Sequence, residues 1–262
     1  MPTLRIADLT ISLEGAGLLP RGWALLSPFL VPDVASPDLR LDWSLGPAPP
    51  QPREAGEAEV TDLPGGLVSF VRWDFEGAVD PVRGTGMLRT SPSAGAVGAA
   101  LRFAVALTLL ERDGLLLHAA AMRIGQRAYV LSGPSGAGKS TAAGLSSGLA
   151  SVLSDELPAL RRGSAGWTAF GTPFHGDLRA ALSEQAPLGR LALLEQSATR
   201  VELAPLPPAE AVRRLYAQVF RVGVDARRHA RWLSLVAALV RDPGCSVLRF
   251  RRESSFWEAL AA

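Results

Sequence analysis

The chain has 262 residues, 48% hydrophobic and 20% charged, with a formal net charge of +2. This is an ordinary globular mix, long enough for a large domain or a domain with a smaller module. Its one cysteine, Cys245, excludes an intrachain disulfide and a four-thiolate zinc site, and makes a reducing, cytoplasmic setting the default expectation.

No dense basic run points to nucleic acid. The N-terminus lacks the basic stretch and apolar core of a signal peptide. The most apolar stretch, residues 99–110, is short and carries Arg102, so it is expected as a buried helix and not a membrane span.

Residues 1–93 are rich in β-type residues and turns, and are read as a β-rich region ahead of a domain over 94–262. Leu4, Ile6, Leu9, Ile11 and Leu13 alternate roughly as in a strand. Residues 67–75 predict another. Between them, residues 46–52 (Gly-Pro-Ala-Pro-Pro-Gln-Pro) predict a stiff exposed loop. Trp23, Trp43 and Trp73 are read as packing aromatics. A helix is predicted over 91–112, with Ser93 as N-cap, Leu101, Val105 and Leu109 on one face, and Gly114 after its end.

Two strands follow, 115–124 and 127–132. The two-residue link Gly125-Gln126 makes them an antiparallel hairpin. A helix is predicted over 140–149, a short buried strand over 150–153, and further strands over 191–194 and 200–203. Helices are predicted over 208–220 and 226–241, with Leu215, Val219, Leu233, Val236 and Val240 inward. A strand over 246–250 and a short helix over 255–262 complete the reading. There is no internal repeat.

The segment Gly133-Pro134-Ser135-Gly136-Ala137-Gly138-Lys139-Ser140 fulfils the phosphate-loop pattern at every required position. An apolar strand precedes it, and Thr141 carries it into a helix. Glycines let successive backbone N–H groups curl around a phosphate without Cβ clashes. The helix start adds free N–H groups and the positive end of its dipole. Lys139 is expected to bridge the β- and γ-phosphates of a nucleoside triphosphate, and the Ser140 hydroxyl to ligate Mg²⁺. Of the 27 basic residues Lys139 is the sole lysine. A compact ammonium stands where phosphate oxygens would be reached, while arginine serves everywhere else. The bland alternative is a glycine-rich turn before a helix.

Sixteen residues after Lys139, apolar residues lead into Ser154-Asp155-Glu156. An acidic pair at a strand's end in an α/β sheet is placed to face a nucleotide and its metal; the alternative is a surface-loop pair. Three histidines occur. His118 ends Leu115-Leu116-Leu117, in the strand paired with the one that feeds the glycine loop. His175 lies in the polar loop 171–177. His229 sits on an arginine-rich helix face and is read as solvated. A strand histidine is usually structural, yet His118 and His175 are both suited to proton or phosphate work near neutral pH. Residues 163–182 mix Gly163, Gly166, Gly171 and Gly176 with Trp167, Phe170 and Phe174, a composition expected of a mobile lid, and Arg179 is a candidate to reach the transferring group.

Together, Leu117-His118-Ala119-Ala120, the loop 133–140 and Ser154-Asp155-Glu156 resemble the catalytic domain of HPr kinase/phosphorylase and related proteins. The resemblance covers about 115–156 well and is looser to the end of the chain. It implies an α/β P-loop kinase of the phosphoenolpyruvate-carboxykinase-like fold, with a mixed sheet and flanking helices. It implies ATP and Mg²⁺ bound by Gly133, Ser135, Gly136, Ala137, Gly138, Lys139, Ser140 and Thr141. Asp155 would be the base toward an acceptor hydroxyl, Glu156 would join Ser140 at the metal, and His118 matches the family's histidine ahead of the hairpin. Departures are Glu156 and Thr141, where the bifunctional enzyme has acidic residues, aspartate in the first case, and the lack of its arginine-glycine phosphorylase signature.

The function these features support is phosphoryl transfer from ATP to a hydroxyl of a protein or peptide. A small-metabolite kinase and a regulatory ATPase without acceptor are the alternatives. No nucleic-acid or membrane partner is indicated, and a homo-oligomer is compatible with the reading.

Overall fold

A computed structural model of the chain describes residues 1–15, 24, 26–46 and 56–261. Its contacts fall into two compact units: Met1–Arg112 with Arg221–His229, and Asp113–Phe220 with Ala230–Ala262. Each carries one large mixed sheet, so the chain is mixed α/β.

In the first unit, β1 (Thr3–Ile6) and β2 (Leu9–Gly15) form a hairpin where the alternation suggests one strand. The pattern skips an extra residue between Ile6 and Leu9, which is the mark of a two-residue turn. Ala7 and Asp8 take φ of 52° and 59°, as a type I′ turn requires. The register pairs Leu4 with Ile11 and Ile6 with Leu9, and all four side chains are buried.

Strand β3 (Leu30–Val31) pairs with β1, and β4 (Leu39–Leu45) runs parallel to β2. Strands β5 (Glu59–Asp62), β6 (Val68–Arg72), β7 (Phe75–Asp80) and β8 (Thr85–Thr90) form an antiparallel meander, and β8 closes parallel on β4. The strand predicted over 67–75 is therefore another hairpin, with Arg72 paired to Phe75 and Trp73-Asp74 as its turn. Strand-favouring residues on both arms hide that turn. Arg72 clamps the Asp74 carboxylate with two bonds of 2.6 and 2.9 Å.

Helix α1 (Ala94–Glu111) packs on β7 and β8. Ser93 Oγ accepts the Ala96 N–H at 3.0 Å, the predicted N-cap, contributing about 1 kcal/mol. Phe103 stacks on Phe70, ring centroids 4.9 Å apart. This packing puts α1 with the first sheet, whereas a boundary at residue 93 assigns it to the domain that follows. Among the described residues α1 alone is long and apolar enough to cross a membrane, and 67% of it is buried. Trp43 is buried, its Nε1 donating to Thr90 Oγ1, and Trp73 is half-buried. Trp23 and the loop residues 47–52 lie outside the described residues.

The second unit holds β9 (Gly114–Leu116), β10 (Ala119–Ile124), β11 (Arg127–Ser132), α2 (Lys139–Leu145), β12 (Ser151–Ser154), β13 (Ala159–Gly163), β14 (Gly166–Phe170), β15 (Gln185–Gln196), β16 (Glu202–Pro205), α3 (Pro208–Tyr216), most of α4 (Ala226–Arg241), β17 (Ser246–Phe250) and α5 (Phe256–Ala261). The sheet runs β12-β10-β11-β15-β14-β13-β9, with β17 on β15 and β16 on β17. Strands β11, β15 and β17 are parallel. Strand β12 is antiparallel to β10, which is antiparallel to β11, so β12 points the same way as β11. The C-terminal ends of these four strands and the start of β10 thus share one edge of the sheet.

The strand predicted over 115–124 breaks at Leu117-His118. Strand β9 pairs with β13 at one end of the path, and β10 with β11 and β12 near the other. Leu117 forms a lone bridge to Val219, which ends α3 short of the predicted residue 220. In α4, Trp232, Leu235, Val236, Leu239 and Val240 make the buried stripe, while Leu233, predicted inward, is 46% exposed because it lies about 100° off that stripe. Helices α2 and α5 join Met122, Leu131 and Phe250 in one apolar cluster. Trp257 Nε1 donates to Ser146 Oγ (3.0 Å), which donates to Ala142 O (2.7 Å).

Candidate functional site

The glycine-rich loop leaves the C-terminal end of β11, the middle strand of the hairpin and parallel core. Gly136 and Gly138 take φ of 78° and 105°, so side chains at either position would be strained. At Gly138 a Cβ would also stand 2.7 Å from the Phe250 ring. That ring is the last residue of β17, and it fixes how closely the loop lies on the sheet edge. Gln196, the last residue of β15, donates from Nε2 to Gly136 O. Both anchors come from strand ends on the shared edge, and neither is marked by any local motif in the sequence.

Lys139 opens α2. Its Nζ donates to Gly133 O at 2.8 Å and Pro134 O at 3.0 Å, so the ammonium is turned onto the loop's own carbonyls. Burial lowers its pKa from the ordinary lysine range, and the charge of Glu156 partly opposes this. Ser140 and Thr141 follow in the first turn, both half-buried, with Ser135 and Gly136 exposed and Ala137 half-buried.

The acidic pair leaves the end of β12 on the same edge, with its two side chains in different settings. Asp155 is 0% exposed, and its oxygens accept the backbone N–H groups of Gly176 (2.9 Å) and Leu178 (2.8 Å). Glu156 is about one-third exposed, and its Oε1 lies 3.5 Å from His118 Nδ1, which is exposed to the same degree. The Glu156 carbonyl accepts the Ala119 N–H, and the His118 carbonyl accepts the Ser132 hydroxyl at 2.8 Å. The break between β9 and β10 therefore sets His118 between the acidic pair and the root of the glycine loop. Lys139, His118, Asp155 and Glu156 are thus brought together. Among the described residues no group of three or more His, Cys, Asp or Glu side chains could hold a metal ion by itself.

The reading of 163–182 as a lid needs correction. Residues Gly166–Phe170 are a sheet strand paired with β13, and Trp167 and Phe170 are buried in the unit's interior. The composition of hinges and apolar covers is that of a hairpin and its core face. The remainder is tied down: Thr172 Oγ1 donates to Leu157 O at 2.7 Å, Phe174 is 2% exposed, and Ser154 bridges Ala181. At Gly171 a Cβ would fall 1.9 Å from Leu182 O. At Gly176 it would fall 3.1 Å from Asp155 Oδ2 and 3.3 Å from Glu156 Oε2, so this glycine lets the strap lie against the acids. His175 is half-buried beside it, its Nδ1 3.1 Å from Gly176 O, while Arg179 is exposed. His229, read as solvated, is half-buried with Nε2 3.0 Å from Gly223 O.

No protein-family model matches this chain, and a search of curated proteins finds no match.

Proposed function

We propose that the chain is an ATP-dependent phosphotransferase acting on a hydroxyl of a protein or peptide, of the HPr-kinase-like P-loop type that its motifs resemble. The observation that supports this most is the meeting, at one sheet edge, of the sole lysine in a glycine-rich loop with an acidic pair and a histidine. A phosphate-loop pattern alone would serve many nucleotide-binding proteins; an adjoining acid and histidine supply what an acceptor hydroxyl needs.

The donor set fits a magnesium nucleotide. Nothing stands within 4 Å of a Cβ built on Gly136, so the loop's outer face is open to a ligand. Lys139 would exchange its two carbonyl partners for phosphate oxygens. Ser140 and Glu156 would supply one hydroxyl and one carboxylate to Mg²⁺, which takes few protein ligands and completes its shell with phosphate oxygens and water. When bound, the nucleotide would supply the phosphoryl group and the metal would neutralise charge on its oxygens. The backbone of residues 133–138 would hold the polyphosphate in place.

Asp155 is the sequence's choice of base. Each of its oxygens accepts one amide and keeps a second lone pair. A second reading takes Glu156 with His118 as the base, since these are the accessible groups. The test is transfer from γ-labelled ATP to protein and peptide acceptors by the wild-type chain, Asp155→Asn and Glu156→Gln. Hydrolysis of ATP with no labelled acceptor would support a regulatory ATPase, and a labelled small molecule would support a metabolite kinase.

A further inference from the structure

The second unit has a cavity at the sheet edge opposite the glycine loop, by the starts of β11 and β15. Its volume is about 400 Å³, and its walls include Arg127, Tyr129, Trp167, Arg190, Asp242 and Leu260. From Arg127 to Ser132 the strand rises about 17 Å, which separates the cavity from the glycine loop.

A bulge brings the two arginines to this place. Ala128 pairs with Leu188, but Tyr129 pairs with Arg190, leaving Gly189 as the extra residue. A Cβ at Gly189 would stand 3.0 Å from Arg127 Cβ, so the glycine lets the Arg127 stem pass beside β15. Among the described residues neither arginine makes an ion pair. Arg190 also borders an adjoining cavity of about 430 Å³ toward Cys245 and Pro208, which lengthens the available groove. Burial pushes the Cys245 thiol up to about 12, so at neutral pH that neighbour is an uncharged wall.

We propose that this cavity binds a small organic anion that also carries a hydrogen-bond donor. The two guanidinium groups would take its phosphate or carboxylate, where planar forks bond oxygen pairs. Asp242, the one acid in the wall, would accept from its hydroxyl or ammonium. Tyr129, Trp167 and Leu260 border the cavity beside these groups, where its carbon body would lie. The volume suits a ligand of metabolite size. The site is separate from the glycine loop, and its occupancy does not depend on the activity proposed above.

Calorimetric titration of the full chain with glycerol 3-phosphate and with inorganic phosphate tests this. The Lys139→Ala background removes the glycine loop as a competing anion site. One saturable site is expected there, tighter for glycerol 3-phosphate than for phosphate. Arg127→Gln and Arg190→Gln should each weaken it roughly 10- to 100-fold, the worth of lost bonds to a charged group. Asp242→Ala, which removes the acceptor, should erase the preference for the donor-bearing probe. Absence of saturable binding in Lys139→Ala, or affinities that the arginine substitutions leave unchanged, would overturn the site. An unchanged preference in Asp242→Ala would overturn the assignment of a donor-bearing ligand.

Discussion

Replacing Asp155 by Asn separates the structural use of one buried carboxylate from the catalytic one proposed for it. In the structure both its oxygens receive backbone N–H groups, at 2.9 and 2.8 Å, with no solvent contact. Asn can accept from one of those groups through its carbonyl oxygen, but must turn an NH₂ toward the other. One charge-assisted bond is lost and two donors are left facing each other, at about 1.5–3 kcal/mol for the bond and more for the unmet donor. A loss of about 2–4 kcal/mol follows, a large share of a typical stability of about 5–15 kcal/mol, yet compatible with folding. Glu156→Gln, on a side chain one-third exposed, should cost under about 1 kcal/mol. Urea denaturation gives the stability change, and hydrogen exchange at Gly176 and Leu178 reports the strap directly. Single-turnover transfer with ATP affinity on the same proteins gives the chemistry. If Asp155 is the base, transfer falls by about 10²–10⁴-fold at retained ATP affinity. If Glu156 and His118 serve as base, Glu156→Gln takes that loss instead. Wild-type stability and unchanged protection at 176–178 in Asp155→Asn would refute the reasoning about the buried carboxylate.

The other predictions rest on single contacts. Lys139→Ala should abolish transfer and weaken ATP binding strongly, and Lys139→Arg should not rescue it, because the guanidinium is too large for the space between Gly133 O and Pro134 O; wild-type turnover in Lys139→Ala would remove the site. Ser140→Ala should reduce nucleotide affinity with Mg²⁺ more than without it, and equal losses in parallel titrations would exclude a metal role. Gly171→Ala should destabilise the second unit by about 3 kcal/mol or more, because its Cβ would fall 1.9 Å from one backbone carbonyl and 2.6 Å from another. An unshifted urea midpoint would show that the backbone can give way there.

Local signals carried the sequence reading where the structure is local. The Ser93 cap, the Gly125-Gln126 turn and the strand–loop–helix around Lys139 each depend on residues within a few positions of one another, and all are present as expected. Two hairpins look like single strands in sequence because Ala7-Asp8 and Trp73-Asp74 carry no glycine or proline to mark a turn. The misread lid has the same origin at longer range. Burial of Trp167 and Phe170 depends on β14 pairing with β13 and β15, which no window of residues 163–182 contains. In the site, Lys139, His118, Asp155 and Glu156 were legible from residue type and spacing. Gln196, Phe250 and Gly176 were not, because they become neighbours of the loop and the acids only through strand order.

That strand order also accounts for the short interval between Lys139 and Asp155. Helix α2 has seven residues and β12 four, so the chain has little length to leave the sheet edge and return. It returns not beside β11 but one strand further out, because β10 already occupies the place next to β11. Strand β10 reaches that place through the two-residue hairpin, so it runs antiparallel and starts where β11 ends. His118 precedes that start, and the acidic pair follows the end of β12, paired near Ala121 through Ser154. A longer link after α2 could place β12 elsewhere in the sheet, and a longer hairpin could shift β10 by a residue and turn His118 to the other face. The meeting of loop lysine, histidine and acids thus follows from two short connections in sequence. Inserting one residue between Gly125 and Gln126 should therefore separate His118 from Glu156 while leaving the glycine loop intact, with ATP binding kept and transfer lost.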